Sequence, residues 1–148
     1  MIIFIGVLNA STARILTYNL LNYEDENNRE DDYIMILDLV EPDLIIAQEI
    51  IGQTGYSHFQ SDVLDVLEPN IWSSAPFTNQ SAQQDIALYY KNDIFTSIGT
   101  SVVYTAQSSG TRDVIEWVML HNLSGVEFNV YGVHSVSYTH LRAHETEA

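Results

Sequence analysis

The chain has 148 residues, 46% apolar and 17% charged, a balance typical of a folded domain rather than a disordered chain. It contains no cysteine, which excludes disulfides, thiolate metal sites and a cysteine nucleophile. Five basic residues and 20 acidic ones give a formal charge of −15, which excludes a basic stripe of the kind that binds nucleic acid. A site for a phosphodiester would therefore need bound cations or a few local basic side chains.

Residues 1–13 resemble the end of a signal peptide. Met1–Leu8 is a short apolar run, and the small residues Ser11 and Ala13 suit a cleavage site. The run is too short to span a bilayer, and a buried first strand is the alternative interpretation. We therefore expect a secreted or periplasmic protein with no membrane span, whose folded domain begins at Arg14.

The next segment predicts a strand, a helix and a second strand. Arg14–Asn19 is rich in β-forming residues, Asn27 or Asn28 can cap a helix that Pro42 ends, and residues 44–47 form a continuous apolar run. This order predicts a crossover unit. The apolar residues on one face of the predicted helix are Tyr33, Ile36, Leu37 and Val40.

A second helix is predicted over residues 57–68, and the rest of the chain predicts strands. The inward positions of that helix are Phe59, Val63, Leu64 and Leu67, and the strands are Asp85–Lys91, Ser101–Tyr104, Asp113–His121 and Val126–His134. Asn122–Gly125 predicts a hairpin turn, after which Val126, Phe128 and Val130 alternate with polar residues toward a core. Two helices joined to a run of strands predict a layered α/β sandwich in one domain.

Two of the predicted strands end in polar residues, at Asn19 and at Gln48–Glu49. If these strands are neighbours, Asn19 and Glu49 meet at one edge of the sheet, where open α/β sheets bind ligands. A carboxylate and an amide oxygen are hard ligands suited to Mg²⁺. Taken alone, the pair fits a solvated strand-end acid and a turn former better, because strand ends commonly carry polar residues.

Five segments, taken in their order along the chain, support the hypothesis that Asn19 and Glu49 bind a metal ion. Arg14–Asn22, Pro42–Glu49, Asp85–Lys91, Arg112–Asp113 and Asn129–His134 resemble, in this order, motifs of the endonuclease/exonuclease/phosphatase superfamily, which includes DNase I-like and exonuclease III-like enzymes. The resemblance implies a four-layer α/β/β/α sandwich of the DNase I-like type. It covers only the N-terminal part of that fold, as a domain over residues 14–135 whose C-terminal half is missing.

The resemblance also implies roles for five residues in a site that takes Mg²⁺, Mn²⁺ or Ca²⁺. Glu49 would be a metal ligand, and Asn19 would hold metal or phosphate. His134 would stabilise the scissile phosphate or act in acid–base chemistry, and Asp85 would orient it. Arg112 would contact phosphate, for which a guanidinium group is well shaped. Without the resemblance, Arg112 is interpreted as a surface ion pair and His134 as an ordinary histidine at the edge of the core.

Three functions follow from this interpretation. The first is an endonuclease-type hydrolase of nucleic-acid phosphodiester bonds, and the second is a phosphatase or lipid phosphodiesterase of the same superfamily. The third is a secreted, non-catalytic binding module whose aromatic residues stack on sugars or partners. That module needs exposed aromatic residues, whereas core or edge positions are the more ordinary expectation; the candidates are Tyr23, Tyr56, Trp72 and Tyr104. No stable protein partner is inferred.

The C-terminal segment breaks the pattern of the domain. His134, His140 and His144 are spaced like metal ligands. Residues 136–146, however, match the translation of a transposon-end sequencing adapter at every position, so we interpret 136–148 as a non-native tail. The superfamily's later Gly-Asp-Phe-Asn-like and Ser-Asp-His-like motifs do not occur. We therefore expect this chain by itself to be inactive.

Overall fold

A computed structural model describes most of the domain, over residues 12–24, 28–80, 84–103 and 113–134. The apolar start of the signal-peptide-like segment, Tyr104, Arg112 and the C-terminal tail lie outside these ranges. Export, the phosphate contact of Arg112 and the foreign origin of the tail therefore stay predictions.

The described residues form strands β1 to β7 and helices α1 to α3. Helix α2 continues through a π-helical segment into α3, so these pieces form one helical run. The bounds in chain order are β1 (Ile15–Tyr23), α1 (Glu30–Val40), β2 (Leu44–Ile50), α2 (Gly52–His58), the π-helical segment (Phe59–Leu64), α3 (Asp65–Leu67), β3 (Trp72–Ser74), β4 (Asp85–Lys91), β5 (Phe95–Val103), β6 (Val114–His121) and β7 (Val126–Gly132).

The strands form two sheets that pack face to face. The first sheet has the order β1-β2-β4-β3, with β1 parallel to β2 and β4 antiparallel to β2, and the second has the antiparallel order β5-β6-β7. One core fills the space between the helices and the first sheet, around Leu37, Phe59 and Tyr89. A second core lies between the sheets, around Leu88 and Trp117. The predicted α/β class is confirmed, with the layers helix, sheet and sheet present in the described part.

The β1–α1–β2 crossover is confirmed, but the face and cap of α1 differ from the prediction. Tyr33 and Leu37 are buried, whereas Ile36 and Val40 stay more than a third exposed because α1 contacts the first sheet along a narrow stripe. Arg29 is the N-cap residue, and no side chain caps the helix. Asn28 has a left-handed backbone instead, which places it in the turn before the cap.

Other boundaries also differ from the sequence prediction. The second helical run begins at Gly52, not Ser57, because the carboxylate of Asp85 accepts the Gly52 N–H, a distant contact that leaves no local signal. Strand β5 begins at Phe95, not Ser101, and the three-residue β3 was not predicted. At the start of β7, Val126 is exposed rather than in the core, because it lies at the hairpin end.

Gly132 packs tightly against the Trp117 ring of its own sheet and against Ile86 of the first sheet. A Cβ atom at this position would lie 2.6 Å from the Trp117 ring and 3.0 Å from Ile86. Both neighbours are buried, so neither side chain can move away without disturbing the core between the sheets. The missing side chain therefore fixes how closely the end of β7 packs against the first sheet.

We predict that Gly132→Ala lowers the free energy of unfolding by about 1–3 kcal/mol, because the added methyl group overpacks a rigid core. The matched control is Gly99→Ala in β5, where a Cβ would meet only Val118 at 3.8 Å, an ordinary contact. The control should stay within about 1 kcal/mol of the parent. Urea unfolding of the three proteins measures this, and equal stabilities for the two variants would refute the packing argument.

Candidate functional site

The structure brings the two predicted strand-end residues together. Asn19 in β1 lies opposite Gln48 in β2, and Glu49 follows directly. The side-chain amide of Asn19 donates a hydrogen bond from Nδ2 to Glu49 Oε1, at 3.0 Å. Strand β1 continues to Tyr23, beyond the predicted end at Asn19, but its regular parallel pairing with β2 ends at Asn19, and the two side chains meet there.

Glu49 owes its direction to an irregularity in β2. Its φ angle of 60° lies in the left-handed region, and the pairing of β2 with β4 passes over it, so it is the extra residue of a β-bulge. Ala47 and Ile50 both belong to the core on the helix side. A regular strand would turn Glu49 into that core. The bulge keeps the carboxylate out, at a backbone cost of about 1–2 kcal/mol.

His134 reaches the same carboxylate from the second sheet. It lies just beyond β7, with Nε2 at 3.4 Å from Glu49 Oε1, and the two side chains are only 14% and 15% exposed. The preceding residue, Val133, accepts a hydrogen bond through its carbonyl oxygen from Gln48 Nε2, at 2.9 Å. The site therefore lies at one end of the gap between the two sheets.

The contacts of Asn19 indicate that it orients Glu49. Its Oδ1 accepts the backbone N–H of Leu21 at 2.8 Å, which leaves Nδ2 facing the carboxylate. Leu21 has a positive φ angle, and its carbonyl oxygen accepts a hydrogen bond from the guanidinium group of Arg29 at 3.0 Å. Arg29 and Asn19 thus hold the irregular end of β1. Direct metal ligation by Asn19 stays a prediction.

Asp85 is buried and supports the turn that follows Glu49. Its Oδ2 accepts the Gly52 N–H at 3.0 Å and its Oδ1 accepts the Gln80 N–H at 2.8 Å. Backbone donors of this kind stabilise a buried carboxylate. Asp85 pairs with Ile50 in the sheet, one residue beyond Glu49. Its proposed orientation of His134 stays a prediction beside these two contacts.

Glu49 is the carboxylate on which a cation would depend. Within the described ranges, no group of three or more His, Cys, Asp or Glu side chains is placed to hold a metal ion. Mg²⁺ does not require such a group, since it commonly takes one or two protein carboxylates and fills its octahedron with waters and phosphate oxygens. A partly exposed carboxylate held by an amide is a suitable hard donor for such an ion.

Sequence reasoning gave Gln48 no role of its own, and its expectation that the candidate aromatic residues lie in the core or at its edge is confirmed for Tyr23, Tyr56 and Trp72. Gln48 interrupts an apolar strand directly before the acid, which is the only sequence signal it gives. Tyr23 and Trp72 are buried, and the hydroxyl of half-buried Tyr56 bonds to Ser74 and Ala75. Within the described ranges, the binding-module hypothesis therefore loses these three candidate residues, and the fourth, Tyr104, lies outside them.

Comparisons with known proteins identify the fold. No protein-family model and no curated protein sequence matches the chain. Solved structures do match. An endonuclease/exonuclease/phosphatase family protein of Bacteroides thetaiotaomicron has a TM-score of 0.60 and 12% sequence identity, and the match covers 81% of this chain and 49% of that protein's chain. The mannosyl-6-phosphatase of the same species has a TM-score of 0.55 at 14% identity, over 81% and 50%. TDP2 of D. rerio, complexed with a single-strand DNA product, has a TM-score of 0.54 at 11% identity, over 79% and 43%.

The chain therefore has the fold of endonuclease/exonuclease/phosphatase proteins, which confirms the resemblance inferred from its motifs. It spans about half the length of the solved structures it matches. None of the described helices is long and apolar enough to cross a membrane.

We predict that Asn19→Asp lowers the free energy of unfolding by about 1 kcal/mol at pH 7 in EDTA, because a second carboxylate, at an exposed position, would then face that of Glu49, whose side chain is only 15% exposed. Asn129→Asp is the matched control. Asn129 is likewise exposed and donates to a partly exposed glutamate, Glu116, at 3.0 Å, but on the outer face of the second sheet rather than at the gap between the sheets. Solvent screens that pair, so its effect should be smaller. Thermal and urea unfolding compare the two, and equal losses would contradict a desolvated position for Glu49.

Proposed function

We propose that the chain carries the metal- and phosphate-binding part of a divalent-metal-dependent phosphoesterase. The observation behind the proposal is that Asn19, Glu49 and His134 converge at the end of the gap between the sheets. An acid suited to a hard cation and a histidine suited to a phosphate oxygen are there within reach of one substrate group. The fold shared with endonuclease/exonuclease/phosphatase proteins supports the same conclusion.

Each residue has a defined part in this proposal. Hydrolysis of a phosphate ester breaks one P–O bond, and the charge that builds up on the phosphate oxygens must be stabilised. Glu49 would hold the cation, and Asn19 would keep its carboxylate aimed at that ion. His134 would donate a hydrogen bond to the phosphate or move a proton, with Asp85 as its orienting group, and Arg112 would bind a further phosphate oxygen. When bound, Mg²⁺ or Mn²⁺ supplies positive charge and lowers the pKa of water.

A nucleic-acid phosphodiester is our preferred substrate class. Its support is the relation in fold to a TDP2 bound to a single-strand DNA product. The formal charge of −15 makes the cation essential here, since the protein surface repels a polyanion. A phosphomonoester is the second candidate, supported by the similar fold of a mannosyl-6-phosphatase. Fold alone does not choose between them, because substrate choice depends on the site and its loops.

The metal part of the proposal predicts that Glu49→Gln weakens Mn²⁺ binding at least about tenfold, because a neutral amide is a poorer ligand for a hard cation. The control is Glu116→Gln, which removes the same charge from a partly exposed position on the outer face of the second sheet. Electron paramagnetic resonance of free Mn²⁺ measures both. The Asn19→Asp protein should gain more thermal stability from Mg²⁺ than the parent does. Equal Mn²⁺ affinities for parent and Glu49→Gln would remove Glu49 from the proposal.

The substrate part predicts that, in Mg²⁺, a single-stranded oligonucleotide binds more tightly than mannose 6-phosphate, as measured by competition against a fluorescent oligonucleotide. The reverse order would favour a phosphomonoesterase. The chain by itself should nick no plasmid DNA, because it lacks the superfamily's later motifs and with them the group that activates water. Clear Mg²⁺-dependent nicking would contradict that expectation, provided that His134→Ala abolishes it and so traces it to this site.

A further inference from the structure

Gln48 joins the two halves of the candidate site through one side chain. Strand alternation turns it to the side of the first sheet that faces the second sheet, the side on which Leu44 and Ile46 pack. An apolar residue would be expected at such a position. Instead, a half-buried amide donates a hydrogen bond to the carbonyl oxygen of Val133 at 2.9 Å, across 85 positions in the sequence.

The two ends of this hydrogen bond adjoin the two chemical groups of the site. The backbone of Gln48 continues directly into Glu49, and the Val133 carbonyl belongs to the peptide unit that leads into His134. Holding that peptide unit fixes the position from which the His134 side chain begins. The Gln48–Val133 hydrogen bond therefore joins the backbone segments that carry both side chains, whose Nε2 and Oε1 atoms lie 3.4 Å apart.

The packing of β7 does not require this hydrogen bond. Gly132 already allows β7 to pack closely against Trp117 and Ile86, and β7 pairs with β6 along its full length. Beyond Gly132 the pairing with β6 ends, and Val133 is half exposed. Removing the Gln48 amide should therefore release only the end of the strand, where His134 lies.

We propose that Gln48 is a positioning residue, which holds His134 beside Glu49 so that the histidine and the cation can engage the same phosphate group. This inference rests on the proposed function, since it assigns Gln48 to phosphate binding rather than to cation binding. It separates the two events: cation binding needs Glu49 and its partner Asn19, whereas phosphate binding on the cation also needs a fixed His134. A purely structural role for Gln48 would instead lower overall stability and leave phosphate affinity unchanged in the folded protein.

The experiment compares Gln48→Met, which keeps the length of the side chain but loses the donor, with Gln60→Met. Gln60 serves as a control outside the candidate site, because its half-buried amide donates to the backbone carbonyl of Trp72 at 3.3 Å and also to the Asp65 carboxylate at 2.9 Å. Three quantities are measured for each protein: the free energy of unfolding in urea, the affinity for Mn²⁺, and the affinity for inorganic phosphate at saturating Mn²⁺. Gln48→Asn, whose amide is one methylene too short to reach Val133, serves as a second variant.

We expect both Gln48 variants to bind Mn²⁺ within about twofold of the parent and phosphate about five- to tenfold more weakly, the effect of one lost hydrogen bond. Gln60→Met should leave both affinities unchanged. Equal phosphate affinity in parent and Gln48→Met would overturn the inference, as would a Gln48→Met protein that does not fold, because β7 would then depend on the amide. If the parent itself binds no Mn²⁺ and Glu49→Gln changes nothing, the proposed function fails, a result distinct from a selective loss of phosphate.

Discussion

The left-handed backbone at Glu49 governs which way the end of β2 points. In a regular strand, successive side chains alternate between the two faces, so one inserted residue reverses the direction of everything after it. Here the insertion returns Ile50 to the helix-side core and frees Glu49 to lie at the sheet end. A glycine would adopt this conformation more easily. The presence of an acid at a position of backbone strain is typical of a functional residue.

Neighbouring elements hold this strained segment in place from both sides. The Asn19 amide fixes the carboxylate from β1, and the buried Asp85 carboxylate fixes the Gly52 N–H just beyond it. Gly52 also has a left-handed backbone, so the turn from β2 into α2 contains two such residues within four positions. The Asp85 carboxylate is buried, and hydrogen bonds in a poorly solvated place are stronger and cost more to lose, so this contact helps to maintain the turn.

The acidic protein repels its proposed phosphate substrate at long range, so binding must depend on attractive interactions within the site itself. Long-range repulsion from a net charge of −15 acts on any phosphate, whereas a bound cation acts within a few ångströms. The gap between the sheets excludes much of the solvent from Glu49 and His134, which strengthens local interactions relative to the distant field. A site of this kind depends on exact placement of a few groups, which the packing of Gly132 in the second sheet and the Gln48 amide of the first sheet supply.

The sequence by itself determined the α/β class, the β1–α1–β2 crossover and the residue types at the strand ends. These features depend on local periodicity and on turn residues, which the order of amino acids records directly. The ordered motifs also led to the fold that the solved structures share. Only the tertiary structure decided that Glu49 lies in a bulge, that α2 begins at Gly52 and that Gln48 reaches Val133. Each of these depends on a contact between residues far apart in sequence, with Asp85 for the helix start and with the second sheet for the glutamine, and such contacts leave no periodic trace in the chain.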